Sequence, residues 1–297
     1  MSTRMRMSGS IVILGLALGV VPVAFGAEAP AAAGTEKCQS CHADVAKAFG
    51  STKHGKAAYY GVQGAGCVSC HGESEKHAGS GDKADAFNPA KADPEKVNET
   101  CLECHSKTKA LMFWNGSAHS NNELGCVACH SVHGGKDKLL KAADDKAVCF
   151  TCHKNVRAAM FARSKHPMRD SSNPKGEGKM TCASCHNPHG SESEKLISAK
   201  SVNDKCYECH TEKKAPLLWE HSPVKEDCLT CHAAHGAAND KLLTVRPPRL
   251  CQSCHMQGRH QSGTLDVNSV YAIGRSCLNC HPMVHGSNSP SGPVLQR

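Results

Sequence analysis

Cys126-Val-Ala-Cys129-His130-Ser-Val-His133-Gly134 sets the reading of the whole chain. Two cysteines separated by two residues are followed at once by a histidine. A second histidine comes three residues later, with a glycine behind it. The first five residues form the pattern Cys-x-x-Cys-His. All 20 cysteines of the 297-residue chain fall into ten copies of it. The copies are Cys38, Cys41 and His42; Cys67, Cys70 and His71; Cys101, Cys104 and His105; Cys126, Cys129 and His130; Cys149, Cys152 and His153; Cys182, Cys185 and His186; Cys206, Cys209 and His210; Cys228, Cys231 and His232; Cys251, Cys254 and His255; Cys277, Cys280 and His281.

This is the attachment signature of haem c. The two thiols reach the two vinyl groups on one edge of a porphyrin, and the next residue offers its imidazole to the iron. A disulfide scaffold does not hold every cysteine in pairs of one gap with a histidine behind each pair. Zinc ribbons do not need that histidine at one offset ten times. The spacing therefore predicts ten covalently bound haem c groups.

The composition agrees. Aromatic residues make up 4% of the chain and hydrophobic residues 39%, cysteine included. That is thin material for an apolar core of this length. No run of about 20 apolar residues follows the N-terminus, which excludes a helical membrane protein. Residues 1–27 read as a signal peptide. Arg4 and Arg6 precede an apolar run from Ile11 to Phe25, and Ala24-Phe25-Gly26 offers small residues for cleavage. No cysteine precedes Cys38, which argues against a lipid anchor. The expected location is the periplasm.

Ten histidines remain: His54, His77, His119, His133, His166, His189, His221, His235, His260 and His285. The surplus equals the number of motifs. The simplest use is a second axial ligand on each iron, giving ten bis-His haems. After the signal peptide only six methionines remain, Met112, Met160, Met168, Met180, Met256 and Met283, too few for that role. The offsets of His77 and His260 are the least regular and mark them as the first exceptions to examine.

The offsets also reveal a repeat. After odd-numbered motifs the extra histidine comes late, as in His54, His119, His166 and His221. After even-numbered motifs it comes almost at once and precedes glycine, as in His133, His189, His235 and His285. The chain reads as five two-haem units beginning near Cys38, Cys101, Cys149, Cys206 and Cys251. A histidine three residues past a proximal one cannot reach the far face of the same ring. The simplest pairing keeps the ligands inside a unit. His133 then serves the haem of Cys101, and His119 the haem that follows it.

The expected fold is a multihaem cytochrome c, with short α-helices and irregular loops around a haem core, little β and an elongated haem wire. Helix formers follow His42 and His105. Phe49, Trp114, Phe161 and Trp219 are expected to pack on porphyrin. The polar stretch 169–180 suggests a linker between an N-terminal pentahaem half, 28–168, and a C-terminal one, 181–297. The tail from Gly286 is expected to be disordered.

Charge gives little support to a nucleic-acid partner. The formal charge is +8, and +6 without Arg4 and Arg6. At roughly −1 per ferric haem, ten haems bring the oxidised protein to about −4.

The ten-motif count, the signal peptide, the absent lipobox and the segments Gly66-Cys-Val-Ser-Cys-His-Gly72 and Gly125-Cys-Val-Ala-Cys-His130 together resemble one family. It is that of the MtrA/DmsE-type periplasmic decahaem cytochromes, with the iron-oxidation proteins MtoA and PioA. The resemblance covers the whole mature chain and shows no N-terminal extension of a special subtype. It implies bis-His haems in a wire, with motif histidines proximal and surplus histidines distal. It also implies insertion into an outer-membrane β-barrel porin and exchange with periplasmic and extracellular redox proteins. The reading is electron conduction between periplasm and cell exterior, for extracellular metal reduction or iron oxidation. No Cys-x-x-Cys-Lys occurs, and there are histidines enough for every sixth position, so catalysis is not expected. Two alternatives stay open. One is a soluble periplasmic shuttle to a terminal reductase, the other a multihaem reductase with one open haem.

Overall fold

In Cys-x-x-Cys-His, the second cysteine and the histidine stand three and four positions after the first cysteine. That is the spacing of one helical turn. The chain takes that turn. His42, His130, His153, His186, His210, His232, His255 and His281 each donate a backbone N–H to the carbonyl of the first cysteine of their motif at 2.9–3.0 Å. The computed structural model describes residues 36–60, 62, 65–134, 139–169, 178–214, 216–255 and 277–296. The signal peptide, most of the 169–180 linker and His260 lie outside them.

Odd and even motifs are carried differently. Odd ones ride on α-helices: Glu36–Gln39, Pro94–His105, Asp145–Cys149, Val202–Tyr207 and Arg249–Gln252. Even ones occupy 3₁₀ turns at Cys126–Ala128, Cys182–Ser184, Cys228–Thr230 and Cys277–Asn279, with the α-helix Cys67–His71 as the exception. The helices start where the sequence supplies caps. Asp93, Asp144 and Ser201 accept the N–H of Glu95, Ala147 and Asp204. Pro94 opens the 12-residue helix, where its missing N–H costs nothing.

An asparagine clamps the two motifs of a unit together. Asn203 stands three residues before Cys206. It donates to the carbonyls of Val224 and Lys225 at 2.9 and 3.0 Å and accepts the N–H of Cys228 at 2.8 Å. Asn98, three residues before Cys101, donates to the Leu124 carbonyl at 3.1 Å and accepts the Cys126 N–H at 2.8 Å. In the third unit the Asp145 carboxylate accepts the Ala183 N–H at 3.2 Å.

Units join through backbone. Ser164 and Ala237 exchange two hydrogen bonds at 3.1 and 2.9 Å, and Trp219 and Ser287 do the same at 3.0 and 2.9 Å. Each bridge pairs the residue two before a late histidine with the residue two after an immediate one. The glycine between closes the contact. Gly236 has φ +153°, and a Cβ there would stand 2.1 Å from the Ala159 carbonyl oxygen. Gly190 has φ +120° and meets the Phe113 carbonyl oxygen in the same way. Among the described residues the longest-range hydrogen bond, from the Leu242 N–H to Ser164 Oγ, spans 78 positions. Each unit thus contacts its neighbours in sequence, as in repeat proteins.

Few side chains are buried. The buried apolar set among the described residues is Ala58, Val97, Trp114, Ile197, Ala237 and Leu295. Only isolated β-bridges occur among those residues, so the expectation of short helices and little β holds. Two local expectations are overturned. The helix at His105 carries the motif and ends there, where a helix following the motif was expected. A 3₁₀ turn at Lys109–Leu111 follows it, because Thr108 Oγ1 ties back to the His105 carbonyl at 2.8 Å. The tail from Gly286 is ordered rather than disordered. Ser287 is fully buried in its bridge to Trp219, and Leu295 is 9% exposed.

Replacing Asn203 by alanine strands the Cys228 N–H and two carbonyls in a half-buried site. The expected cost is about 1–3 kcal/mol, read as a lower denaturant midpoint of the holoprotein.

Candidate haem centres

The motif histidines and the surplus histidines meet as pairs of rings. His42 faces His77 with ring centres 6.1 Å apart. His71 faces His133 at 5.7 Å, His130 faces His189 at 5.9 Å, His186 faces His235 at 6.0 Å and His232 faces His285 at 6.2 Å. His105 faces His54 at 5.8 Å, His153 faces His119 at 6.1 Å and His255 faces His221 at 6.2 Å. Imidazole nitrogens bond a first-row metal at about 2 Å, so two rings on opposite sides of one ion stand about 6 Å apart centre to centre.

The pairing differs from the sequence expectation. His133 lies against His71 of the preceding unit, not His105 of its own. His119 lies against His153 of the following unit, not His130. Pairing within a unit is therefore overturned. The clamp that holds two motifs side by side turns their histidines outward, toward neighbouring units. An even motif meets the immediate histidine of the next unit. An odd motif meets the late histidine of the unit before. His77 falls outside this scheme because the first unit has no predecessor, and it turns back to His42. His166 and His210 hold the corresponding positions in the repeat, as the late histidine of the third unit and the odd-motif histidine of the fourth. His260, the remaining surplus histidine, lies outside the described residues.

The second ring nitrogen is tied off by a backbone carbonyl in eight of the motif and surplus histidines. His71 Nδ1 bonds the Phe87 carbonyl at 3.0 Å, His186 the Lys195 carbonyl at 2.8 Å, His232 the Lys241 carbonyl at 2.8 Å and His281 the Val294 carbonyl at 2.5 Å. Among surplus histidines, His77 bonds the Asp82 carbonyl at 2.9 Å, His119 that of Pro188 at 2.7 Å, His166 that of Ala234 at 2.9 Å and His221 that of Val284 at 3.0 Å. A carbonyl only accepts, so Nδ1 carries the proton. Nε2 is left with its lone pair for a metal.

Backbone strain serves these bonds. Lys195 and Leu196 have φ +56° and +57°, and Lys241 and Leu242 have the same values. Consecutive left-handed residues other than glycine are costly. Here they aim the Lys195 and Lys241 carbonyls at the motif imidazoles. The neighbouring Asn187 N–H and Ala233 N–H reach the carbonyls of Leu196 and Leu242 at 2.8 and 2.7 Å. Sequence reading missed these segments. Their signal was a recurring Lys-Leu-Leu or Lys-Leu-Ile after even motifs, at 138–140, 195–197 and 241–243.

The cysteines line up in chain order. The first thiols of the two motifs in a unit lie close enough to interact: Cys38 with Cys67, Cys101 with Cys126, Cys149 with Cys182, Cys206 with Cys228 and Cys251 with Cys277. The second thiol of an even motif lies within electrostatic reach of the next unit. Cys70 meets Cys101 and Cys104, Cys129 meets Cys149 and Cys152, Cys185 meets Cys206 and Cys209, and Cys231 meets Cys254. Every motif therefore adjoins the next. Burial, and then the neighbouring Cys228, pushes the Cys206 thiol up to about 11. With porphyrin attached, these sulfurs are thioethers and do not titrate.

Of the aromatic residues, Phe49 packs edge-on to His133 and buried Trp114 lies tilted over His189, both at 6.3 Å. Phe161 and Trp219 are 77% and 40% exposed.

Paired thiols on a helical turn and facing imidazoles with Nδ1 occupied fit covalently bound haem c. Fold and site define a multihaem c-type cytochrome, an electron-transfer protein with several such haems. Known proteins agree. The model for a doubled CXXCH motif matches residues 173–215 and 221–260, and that for a cytochrome c-type protein, NrfB-like, matches residues 67–152. The chain is 41% identical over 282 residues to the multiheme cytochrome MtrA of Shewanella baltica, covering 89% of this chain and 81% of that protein. It belongs to the MtrA family. It is also 26% identical over 242 residues to the C-type polyheme cytochrome OmcB of Geobacter sulfurreducens, spanning 71% of this chain and 30% of that one. To the cytochrome c-type protein NrfB of Haemophilus influenzae it is 25% identical over 168 residues, 42% of this chain and 70% of that one.

Burial lowers the pKa of His54, His133, His189, His235 and His285 below the usual 6.5; facing histidines add to the effect, and at His285 the Lys213 ammonium adds more than they do. A lowered folded pKa favours the neutral ring. That stability is present in full above about pH 6.5 and is lost as pH falls through the folded values. A ring that binds metal must also stay neutral, so the sign is the same in the holoprotein, whose equilibrium unfolding should show a lower denaturant midpoint at pH 5 than at pH 7.5.

Proposed function

We propose that this protein is a decahaem conductor carrying electrons between periplasm and cell exterior through an outer-membrane β-barrel porin. It would serve extracellular metal reduction or iron oxidation. The observation that carries the reading is the unbroken succession of motifs, each adjoining the next from Cys38 to Cys280. Haem supplies reversible one-electron chemistry at iron when bound. The chain supplies order and spacing.

In this reading the twenty cysteines anchor ten porphyrins. His42, His71, His105, His130, His153, His186, His210, His232, His255 and His281 are proximal ligands. His54, His77, His119, His133, His166, His189, His221, His235, His260 and His285 are distal. Filling both axial positions of every iron leaves no open site for a substrate, so the protein transfers electrons without catalysing a reaction of its own. Bis-His ligation keeps potentials low relative to His/Met pairs. No described helix is long and apolar enough to cross a membrane. Passage through the membrane would therefore depend on the barrel, whose interior is polar.

Two experiments test this reading. Replacing His189 by alanine should leave one haem in ten high-spin, that of Cys126 and Cys129. A wild-type spectrum in that variant would remove the ligand assignment. Purification from outer membranes in mild detergent should bring down a stoichiometric β-barrel protein, identified by mass spectrometry. Recovery only from the soluble periplasm, with no barrel, would overturn the conduit and leave a shuttle.

A further inference from the structure

The four late histidines His54, His119, His166 and His221 hold one place in the repeat, but one of them is set differently. His119, His166 and His221 each direct Nδ1 at the carbonyl just before the immediate histidine of the next unit: Pro188 before His189, Ala234 before His235 and Val284 before His285. The corresponding carbonyl for His54 is that of Val132, before His133. That bond is not made. His54 Nδ1 is buried and has no hydrogen-bond partner.

Ring orientation adds a second mark. His54 and His105 stand at 76°, and His119 and His153 at 70°. The other described pairs, His42–His77, His71–His133, His130–His189, His186–His235, His221–His255 and His232–His285, lie within 25° of parallel. Perpendicular imidazoles on one iron leave its two dπ orbitals nearly degenerate. The ferric, low-spin ion then has a strongly anisotropic electron spin resonance. The third and fifth haems therefore share a spectroscopic signature and differ at Nδ1.

An Nδ1–H bound to a carbonyl makes its imidazole a stronger donor and stabilises the ferric state. Without that bond the ferric state is held less well. Resting on the bis-His reading above, we propose that the third haem, held by His105 and His54, has a higher potential than its counterpart, the fifth haem, held by His153 and His119.

The test is a redox titration of the purified holoprotein followed by electron spin resonance. Among the haems of the described ring pairs, two strongly anisotropic ferric signals are expected, that of the third haem lost at higher potential than that of the fifth as reduction proceeds. His54→Ala should delete the signal lost first, and His119→Ala the one lost second. Equal midpoints, or the reverse assignment, would overturn the proposal and leave the ligation reading intact. Absence of both signals, with high-spin iron in the wild-type spectrum, would overturn the ligation reading and the proposal with it. Should either variant fail to assemble, the wild-type titration still decides whether the two midpoints differ.

Discussion

A histidine from one unit facing a histidine from its neighbour, with an attachment site beside them, is the interaction on which the structure depends. The polypeptide has little else to hold it. Its buried apolar set is small, its helices are short and its bridges are isolated. A chain with so few apolar contacts does not offset the entropy of ordering its loops. Covalently held porphyrin, seated between units, would supply the missing interior. Iron held between two units would act as a cross-link between them.

The direction of these cross-links explains the continuity of the array. Pairing inside a unit would produce five separate two-haem beads. Instead, the Asn98 and Asn203 clamps set two motifs side by side and leave their histidines to neighbours. Even motifs are matched forward and odd motifs backward. Two threads of ring pairs then run along the chain, and each unit is held on both sides. The scheme crosses the 169–180 stretch without interruption, since His130 meets His189 and His119 bonds the Pro188 carbonyl. His77 closes the first haem locally, because the first odd motif has no unit before it. Its irregular offset is the consequence of standing at an end.

The repeat also distributes strain. Left-handed lysine–leucine pairs at 195–196 and 241–242 cost backbone energy, and each returns a carbonyl to a motif imidazole. Gly190 and Gly236 occupy left-handed conformations where the preceding unit's backbone presses closest. Both features lie on the elements that orient the rings, as expected where strain is tied to a site. His54 shows the opposite, a place in the repeat where the orienting bond is missing.

Much of this was legible in the residues. Ten Cys-x-x-Cys-His motifs determined haem attachment, because thiol spacing and the adjacent imidazole are properties of five consecutive residues. The surplus of ten histidines, and their alternation of late and immediate positions, marked the five units and the candidate ligands. The partner of each histidine was not legible. A choice between a ring 28 residues away and one 62 residues away is made by where the clamps and bridges turn the chain, and no local pattern encodes it. The same holds for the ordered tail, which reads as loose sequence until Ser287 meets Trp219. Local chemistry decided what the chain binds. Long-range backbone hydrogen bonds between units decided the order and the pairing.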